Sequence, residues 1–255
     1  MSDELLMDEP APGVRRLTLN RPEKLNALSR GLAEQLVAAI EAANEDKKVR
    51  VLILRGTGKS FCAGADLSEH FTGDDKEPDI GRTGLWSRME TARVPIIGAV
   101  QGWAITGGFL LAYCCDVVVA AEDAMFRDTH ATLGLVPTGG ESQRMPRRLG
   151  LHLARELMLT SRPMSAAEAK AAGLVSRIVP RDQLDEAALE TANNIASNVP
   201  RAVETIKRMI NFGTGMDLAS GLRFEELTND FGAANSLPDP ERDQRTGEFR
   251  RLASR

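Results

Sequence analysis

Short apolar runs separated by helical patterns constrain the fold more than any other feature of this 255-residue chain. Three runs predict buried strands that end in turn residues: VRVLILRGTG from residue 49, VPIIGAVQG from residue 94 and DVVVAAEDAMF from residue 116, the last supplying one or two strands. GVRRLTLNRP from residue 13 alternates and predicts another strand, which stops at a proline. Because helical patterns such as SRGLAEQLVAAIEAANED, with its serine cap, lie between the strands, we expect an α/β fold with crossover connections.

The carboxyl-terminal part of the chain has a different pattern. MSAAEAKAAGLVSRIVP from residue 164 predicts a helix, a glycine stop and a strand, and from Asp182 onward the pattern is nearly all helical. We therefore predict an α/β core over residues 1–199 and a helical region over residues 200–255. The polar, glycine-rich stretch from Phe71 to Gly84 predicts a mobile surface loop.

Composition and charge exclude several classes of protein. The chain is 42% hydrophobic and 27% charged, with a net charge of −4 and scattered basic residues, so we expect no nucleic-acid partner. The longest apolar run, residues 109–121, is interrupted by Asp116 and is too short to span a membrane. The amino terminus lacks the pattern of a signal peptide, and the three cysteines form no CxxC pair, so we expect a cytoplasmic protein without a disulfide or metal site.

Two stretches of small residues could present backbone N–H groups to a ligand. In SFCAGADL the small side chains around Ala65 allow a close approach to the main chain, and in GWAITGGF the pair Gly107 and Gly108 opens an apolar helix. The N-terminus of such a helix favours negative charge. Each stretch alone is more typical of a structural feature than of a site.

Together, and in this order, the motifs of the chain resemble the crotonase superfamily, the enoyl-CoA hydratase/isomerase family. The stretches that carry the resemblance are RPEKLNAL (21–28), SFCAGADL (60–67), VPIIGAVQGWAITGG (94–108), CDVVVAAEDAMF (115–126), LGLVPTGGESQR (133–144) and LTSRPMSAAEAKAAGLVSRIVP (159–180). The resemblance implies a spiral of ββα units with C-terminal helices that assemble a homotrimer or a dimer of trimers. It also implies an acyl-CoA ligand and no separate cofactor, since coenzyme A arrives with the substrate.

The resemblance also assigns expected site residues. The thioester carbonyl would lie between the backbone N–H groups of Ala65 and Gly107, an oxyanion hole. Residues expected along the coenzyme A path are Lys24, Cys62, Ala63, Asp66 and Leu67, and those expected at the acyl pocket are Trp103, Leu110 and Leu135. Residue patterns alone leave alternatives: Lys24 as a solvated lysine, Asp66 as a helix cap, and Trp103 as part of the core.

The resemblance implies that both catalytic glutamates of the hydratases are missing from this chain. Leu110 and His130 stand at their positions, and Glu141 stands where the family commonly has glycine. His130 could act as a base near neutral pH, oriented by Asp128, or be a satisfied, partly buried histidine. Glu141 could be a displaced catalytic acid or a carboxylate stabilised by a helix N-terminus. Because one general acid or base contributes about 10²–10⁴ in rate, we predict that the chain is not an efficient conventional hydratase.

Three functions follow as hypotheses. The first is a lyase or isomerase of acyl-CoA metabolism that acts through a stabilised enolate, with His130 and Glu141 replacing the glutamates. The second is a non-catalytic acyl-CoA-binding protein, which the apolar Leu110 favours. The third is a carbon–carbon bond hydrolase acting on a diketone, which failure to bind coenzyme A would support.

Overall fold

A computed structural model of the chain describes residues 4–70, 83–234 and 244–246. It divides the chain into two compact units, Met1–Ala196 and Ser197–Arg255. The sequence predicted this boundary a few residues later, at 199/200. Most of the predicted loop from Phe71 to Gly84 lies outside the described residues.

The first unit contains two sheets built from short strands. Their bounds are β1 Leu5–Ala11, β2 Val14–Leu19, β3 Val51–Gly56, β4 Ile96–Val100, β5 Trp103–Ile105, β6 Val117–Ala121, β7 Met125–Arg127, β8 Met164–Ser165 and β9 Arg177–Val179. Strands β1-β2-β3-β4-β6-β9 form the larger sheet, and β5-β7-β8 form the smaller one. In the larger sheet only β1 and β2 pair antiparallel. The predicted α/β fold with crossover connections is confirmed.

Helices lie in the longer connections between strands. In the first unit they are α1 Arg30–Glu45, α2 Leu67–His70, α3 Leu85–Thr91, α4 Gly107–Cys114, α5 His130–Leu133, α6 Glu141–Leu149, α7 Leu151–Thr160, α8 Ala166–Ala171 and α9 Leu184–Ala196. The Ser29 hydroxyl accepts a hydrogen bond from Leu32 N and caps α1 as the sequence predicted.

Three strands, β1, β5 and β8, were not predicted from the sequence. Strands β5 and β8 are too short to show a period, and acidic Asp8 and Glu9 interrupt the apolar pattern of β1.

The larger sheet has a separate apolar core on each face. Leu52 and Leu54 of β3 belong to one cluster, which also contains the apolar residues of α1 and α4. Val51 and Ile53 belong to the other, together with the buried leucine and alanines of α9. Successive side chains of a strand point to opposite faces, so a strand covered on both faces is apolar throughout.

Helix α4 is buried on nearly every side. Seven of its eight residues are buried, which accounts for a helix that is apolar all round. Its N-terminus packs directly against the main chain that follows β3. A Cβ placed on Gly108 would overlap the carbonyl oxygen of Cys62, so only glycine permits this approach.

The second unit is helical, with α10 Pro200–Gly213 and α11 Leu218–Ala234. Phe212 and Phe224 join these helices, with ring centroids 6.4 Å apart. Several large apolar side chains are exposed on these helices and in the turn between them: Ile206, Ile210, Phe212, Met216, Leu218, Leu222 and Leu227. Exposed apolar patches mark interaction surfaces, and the expected trimer stays a prediction. Across the described ranges, no helix is long and apolar enough to cross a bilayer.

The contact at Gly108 gives a test of the packing of α4. Gly108→Ala must push α4 away from Cys62, and overpacking of this kind costs about 1–3 kcal/mol of unfolding free energy. Gly213→Ala is the control, because its added methyl group meets open space and alanine favours a helix by up to about 1 kcal/mol. Urea unfolding of the full-length variants measures both. Equal stability of the two variants would contradict the close packing described here.

Candidate functional site

The segment after β3 and the segment that leads into α4 run side by side. Cys62 N donates to Trp103 O at 3.0 Å, and Ile105 N donates to Cys62 O at 2.9 Å. These two bonds hold the predicted SFCAGADL and GWAITGGF stretches together. Two segments that are more than 40 residues apart in sequence are therefore neighbours in the fold.

Two unpartnered backbone N–H groups meet where these segments touch. A Cβ on Gly64 would lie 3.3 Å from Gly107 N, and a Cβ on Gly107 would lie 3.5 Å from Ala65 N. Neither the Ala65 nor the Gly107 N–H donates a hydrogen bond to any other described residue. Both residues are half-buried rather than sealed from solvent. Two adjacent free donors can stabilise one oxygen atom on which negative charge develops.

Thr106, the residue before Gly107, has an unusual backbone conformation. Its φ is 48° and its ψ is −103°, close to the first central position of a type II′ turn, which favours glycine. For a β-branched residue this conformation is an outlier that costs on the order of 1–3 kcal/mol. Thr106 N donates to Arg127 O at 2.7 Å, and the Thr106 and Thr129 hydroxyl oxygens lie 2.7 Å apart.

Partly buried His130 and buried Asp128 form a pair at the start of α5. The His130 Nδ1 lies 3.1 and 3.0 Å from the two carboxylate oxygens of Asp128, which is 1% exposed. Burial lowers the pKa of His130, but the hydrogen bond and charge of Asp128 and the charge of Glu141 outweigh it, so this pKa is raised. The imidazole Nε2 forms no hydrogen bond to a described residue, which leaves it available to a ligand.

Glu141, the first residue of α6, is a buried carboxyl group. It is 4% exposed, and its Oε2 has no hydrogen-bond partner among the described residues. Burial raises its pKa, although the backbone N–H groups of Glu141 and Gly139 and the charge of His130 act in the opposite direction. Stabilisation by the N-terminus of α6 is therefore present, but burial has the larger effect.

The Glu141 carboxyl group lies close to Leu110. Measured from the position that a Cβ on Gly139 would take, Leu110 Cδ2 is 2.5 Å away, Trp86 Nε1 is 3.0 Å away and Glu141 Oε1 is 3.1 Å away. An apolar side chain, an indole and a carboxyl group thus surround Gly139. The three side chains around Gly139 are those of Leu110, Trp86 and Glu141, called here the Gly139 cluster. The sequence did not predict Trp86 as a site residue, because its place in the pattern is that of an apolar residue on the buried side of helix α3.

Asp66 is held in an ionic cluster. Its Oδ2 accepts from Arg21 Nη2 at 2.8 Å and from Lys24 Nζ at 2.9 Å, and its Oδ1 accepts from Ser68 N at 3.1 Å. Burial would raise the pKa of Asp66, but these partners together lower it well below its ordinary value. Asp66 is thus an ion-paired residue at the start of α2. Half-exposed Lys24 is not a free surface lysine, and its role near coenzyme A phosphates stays a prediction.

The other residues expected along the coenzyme A path differ in exposure. Cys62 is fully buried, and burial raises the pKa of its thiol to about 12. Its place along the coenzyme A path stays a prediction. Ala63 is half-buried and Leu67 is exposed, as a lining role requires. No group of three potential metal ligands occurs within the described part of the chain.

The three residues expected at the acyl pocket lie in different environments. Leu110 is 2% exposed and belongs to the Gly139 cluster, whereas Leu135 is half-buried. Trp103 is 36% exposed, so its interpretation as a core residue is wrong. The reason is its place in β5, where its side chain points away from the core while the backbone pairs with Met125. The assignments of Trp103 and Leu135 to the acyl pocket stay predictions.

Comparison with known proteins gives a consistent picture. Residues 9–235 match the family described as enoyl-CoA hydratase/isomerase. The chain is 43% identical to a probable enoyl-CoA hydratase of Rhizobium meliloti over 226 residues, 88% of each protein. It is 39% identical to the 2,3-dehydroadipyl-CoA hydratase of Escherichia coli, over 82% of each. A crystal structure of enoyl-CoA hydratase from Bacillus anthracis superposes with a TM-score of 0.84 at 38% identity, over 89% of this chain and 90% of that one.

The raised pKa of Glu141 predicts a pH-dependent change in stability. Since the folded chain favours the protonated carboxyl group, its contribution is full below pH 4.5 and is lost as pH rises through the raised pKa. Glu141→Gln removes this loss, so the variant should unfold at higher temperature than the wild type at pH 8, and the two should converge near pH 4. A difference of about 1 kcal/mol would shift Tm by roughly 2–4 °C.

Thermal unfolding from pH 4 to pH 8 measures this effect, and Glu122→Gln, at an exposed glutamate, is the control. A Glu141→Gln protein that is no more stable than the wild type at pH 8 would show that the buried carboxylate is compensated by a partner.

Proposed function

The chain belongs to the enoyl-CoA hydratase/isomerase family, and we propose that it acts on an acyl-CoA thioester through a backbone oxyanion hole, with His130 and Glu141 as its proton-transfer groups. One observation carries this proposal. The free N–H groups of Ala65 and Gly107 lie side by side, and a hydrogen-bonded threonine pair links the residue before Gly107 to the residue before His130.

The two N–H groups suit the chemistry of a thioester. Removal of a proton from the carbon next to the carbonyl gives an enolate, whose negative charge lies largely on oxygen. Fixed donors that face this oxygen stabilise the transition state more than the substrate, and losing one typically costs about 10²–10³ in rate. Because the donors belong to the backbone of Ala65 and Gly107, they need no particular side chain.

His130 suits the role of the group that moves the proton. Asp128 binds Nδ1 and fixes the orientation of the ring, so Nε2 is the atom that can take or return a proton. Glu141 is the second candidate, because its buried Oε2 is unpartnered and its raised pKa lets it retain a proton at higher pH than an ordinary glutamate. The electrostatic interaction between these two groups supports a shared role.

Leu110 argues against efficient conventional hydration. By the family resemblance it stands where hydratases carry one of two glutamates, and an alkyl side chain transfers no proton. Glu141 Oε1 and Leu110 Cδ2 both approach Gly139, so Glu141 brings a carboxyl group back to this neighbourhood from another helix. The proposed enzyme therefore has a rearranged acid–base pair.

A non-catalytic acyl-CoA-binding protein is the second candidate, and buried Leu110 is the observation that favours it. A carbon–carbon hydrolase stays a prediction that the same experiment tests, since such an enzyme need not bind coenzyme A.

The deciding experiment measures binding and enolate formation in the same samples. Calorimetry with butyryl-CoA reports binding, and the exchange of its α-protons in D₂O, followed by NMR, reports enolate formation without any need to know the natural substrate. We expect binding and exchange, and we expect His130→Gln to lower the exchange rate by about 10²–10⁴. His152→Gln, at an exposed histidine, is the control.

Other outcomes would identify the alternatives. Binding without exchange favours the non-catalytic protein, and no binding favours the carbon–carbon hydrolase. Rapid hydration of crotonyl-CoA by the wild type would show that the proposal about Leu110 is wrong.

Restoring the carboxylates tests whether the backbone site is otherwise intact. Leu110→Glu combined with His130→Glu should raise crotonyl-CoA hydration, because each added acid or base contributes about 10²–10⁴. The matched control is Leu110→Gln with His130→Gln, which has similar shape but no titratable group. No gain over this control would mean that the pocket has diverged beyond these two positions.

A further inference from the structure

Two threonine hydroxyls join the oxyanion hole to the histidine. The Thr106 and Thr129 Oγ1 atoms lie 2.7 Å apart, and Thr129 N donates to Thr106 Oγ1 at 3.1 Å. Gly107 follows Thr106, and His130 follows Thr129. We propose that Thr106 and Thr129 are positioning residues that set the Gly107 N–H and the His130 imidazole in one geometry, an inference that rests on the function proposed above.

Neither threonine hydroxyl caps the helix that follows it, although the position of each predicts an N-cap. Thr106 and Thr129 are the N-cap residues of α4 and α5, where a threonine hydroxyl ordinarily accepts a hydrogen bond from its own helix. Neither side chain makes such a capping bond. Each hydroxyl bonds the other helix start instead, so the two helix starts are tied together.

The threonine pair continues the ladder of the smaller sheet. Strands β5 and β7 pair in parallel up to Ile105 and Arg127, and Thr106 N donates to Arg127 O at 2.7 Å. Beyond this bond the backbones separate into α4 and α5. The two hydroxyls then bridge the strand ends at the point where main-chain pairing stops.

The backbone of Thr106 decides where the Gly107 N–H points. The two residues share one peptide plane, so ψ of Thr106, −103°, sets the direction of that N–H. This conformation is disfavoured for threonine and persists only where surrounding bonds hold it. The hydrogen bonds to Arg127 and Thr129 supply that restraint.

The coupling matters because both groups act on one substrate. The oxyanion donor must face the carbonyl oxygen while His130 Nε2 faces the neighbouring carbon, and a misplacement of about 1 Å can cost about 10²-fold in rate. Loosening the threonine pair should therefore impair turnover while leaving most of the binding energy of coenzyme A intact. A residue needed only for stability would not produce this separation.

The test compares Thr129→Val, which keeps the side-chain shape and removes the hydroxyl, with Thr129→Ser, which keeps the hydroxyl. The probe is butyryl-CoA labelled with ¹³C at the thioester carbonyl, whose chemical shift on binding reports polarisation by the oxyanion hole. We expect Thr129→Val to reduce this shift and to slow α-proton exchange by about 10–100-fold, with its Kd changed less than about threefold. Thr129→Ser should retain the wild-type shift and rate.

A second variant protects the test against misfolding. Circular dichroism tests whether Thr129→Val is folded. If Thr129→Val is not folded, the double variant Thr106→Ser with Thr129→Ala removes the hydroxyl at residue 129 in a different background. The NMR titration of His130 gives an independent readout, and we expect its pKa to change in Thr129→Val but not in Thr129→Ser.

The outcomes separate this inference from the proposed function. If the wild type polarises the carbonyl and Thr129→Val leaves the shift, the exchange rate and the His130 titration unchanged, the inference is overturned and the proposed function stands. If the wild type neither polarises the carbonyl nor exchanges the α-protons, the proposed function is wrong and the inference falls with it.

Discussion

The close approach of the N-terminus of α4 to the main chain after β3 is the contact on which the site depends. Gly108 permits it, because any Cβ would overlap the Cys62 carbonyl oxygen. The hydrogen bonds on either side of Cys62 then hold the two segments in register. The free N–H groups of Ala65 and Gly107 are a consequence of this packing, since neither segment alone brings two donors together.

The charged groups around this contact form two sets that differ in how fully they are hydrogen-bonded. Asp66 is saturated by Arg21, Lys24 and Ser68, so it remains charged and acts as a structural anchor. His130 and Glu141 are only partly satisfied, and the pKa of each is raised. Perturbed and unsaturated groups of this kind cluster where proton transfer is performed.

Under the proposed function, an altered acid–base pair occupies the framework that the chain shares with its family. Backbone donors do not depend on side-chain identity, so the proposed oxyanion hole requires no particular residues at positions 110, 130 and 141. Strand pairing sets the positions of the two helix starts, and the hydroxyls of Thr106 and Thr129 connect them.

Local patterns alone determined the longer strands, the capped helix α1 and the change to helices near the carboxyl terminus, because burial imposes a period that is visible over five or more residues. The resemblance predicts Ala65, Gly107 and His130 as site residues, since long motifs keep their order along the chain, and their roles stay predictions. Sequence could not reveal β1, β5 and β8, whose pairing depends on partners elsewhere in the chain. Nor could it reveal the positive φ of Thr106, the burial of Glu141 or the place of Trp86 beside Gly139. Only the tertiary structure decided these features, because each depends on contacts between segments that are distant in sequence.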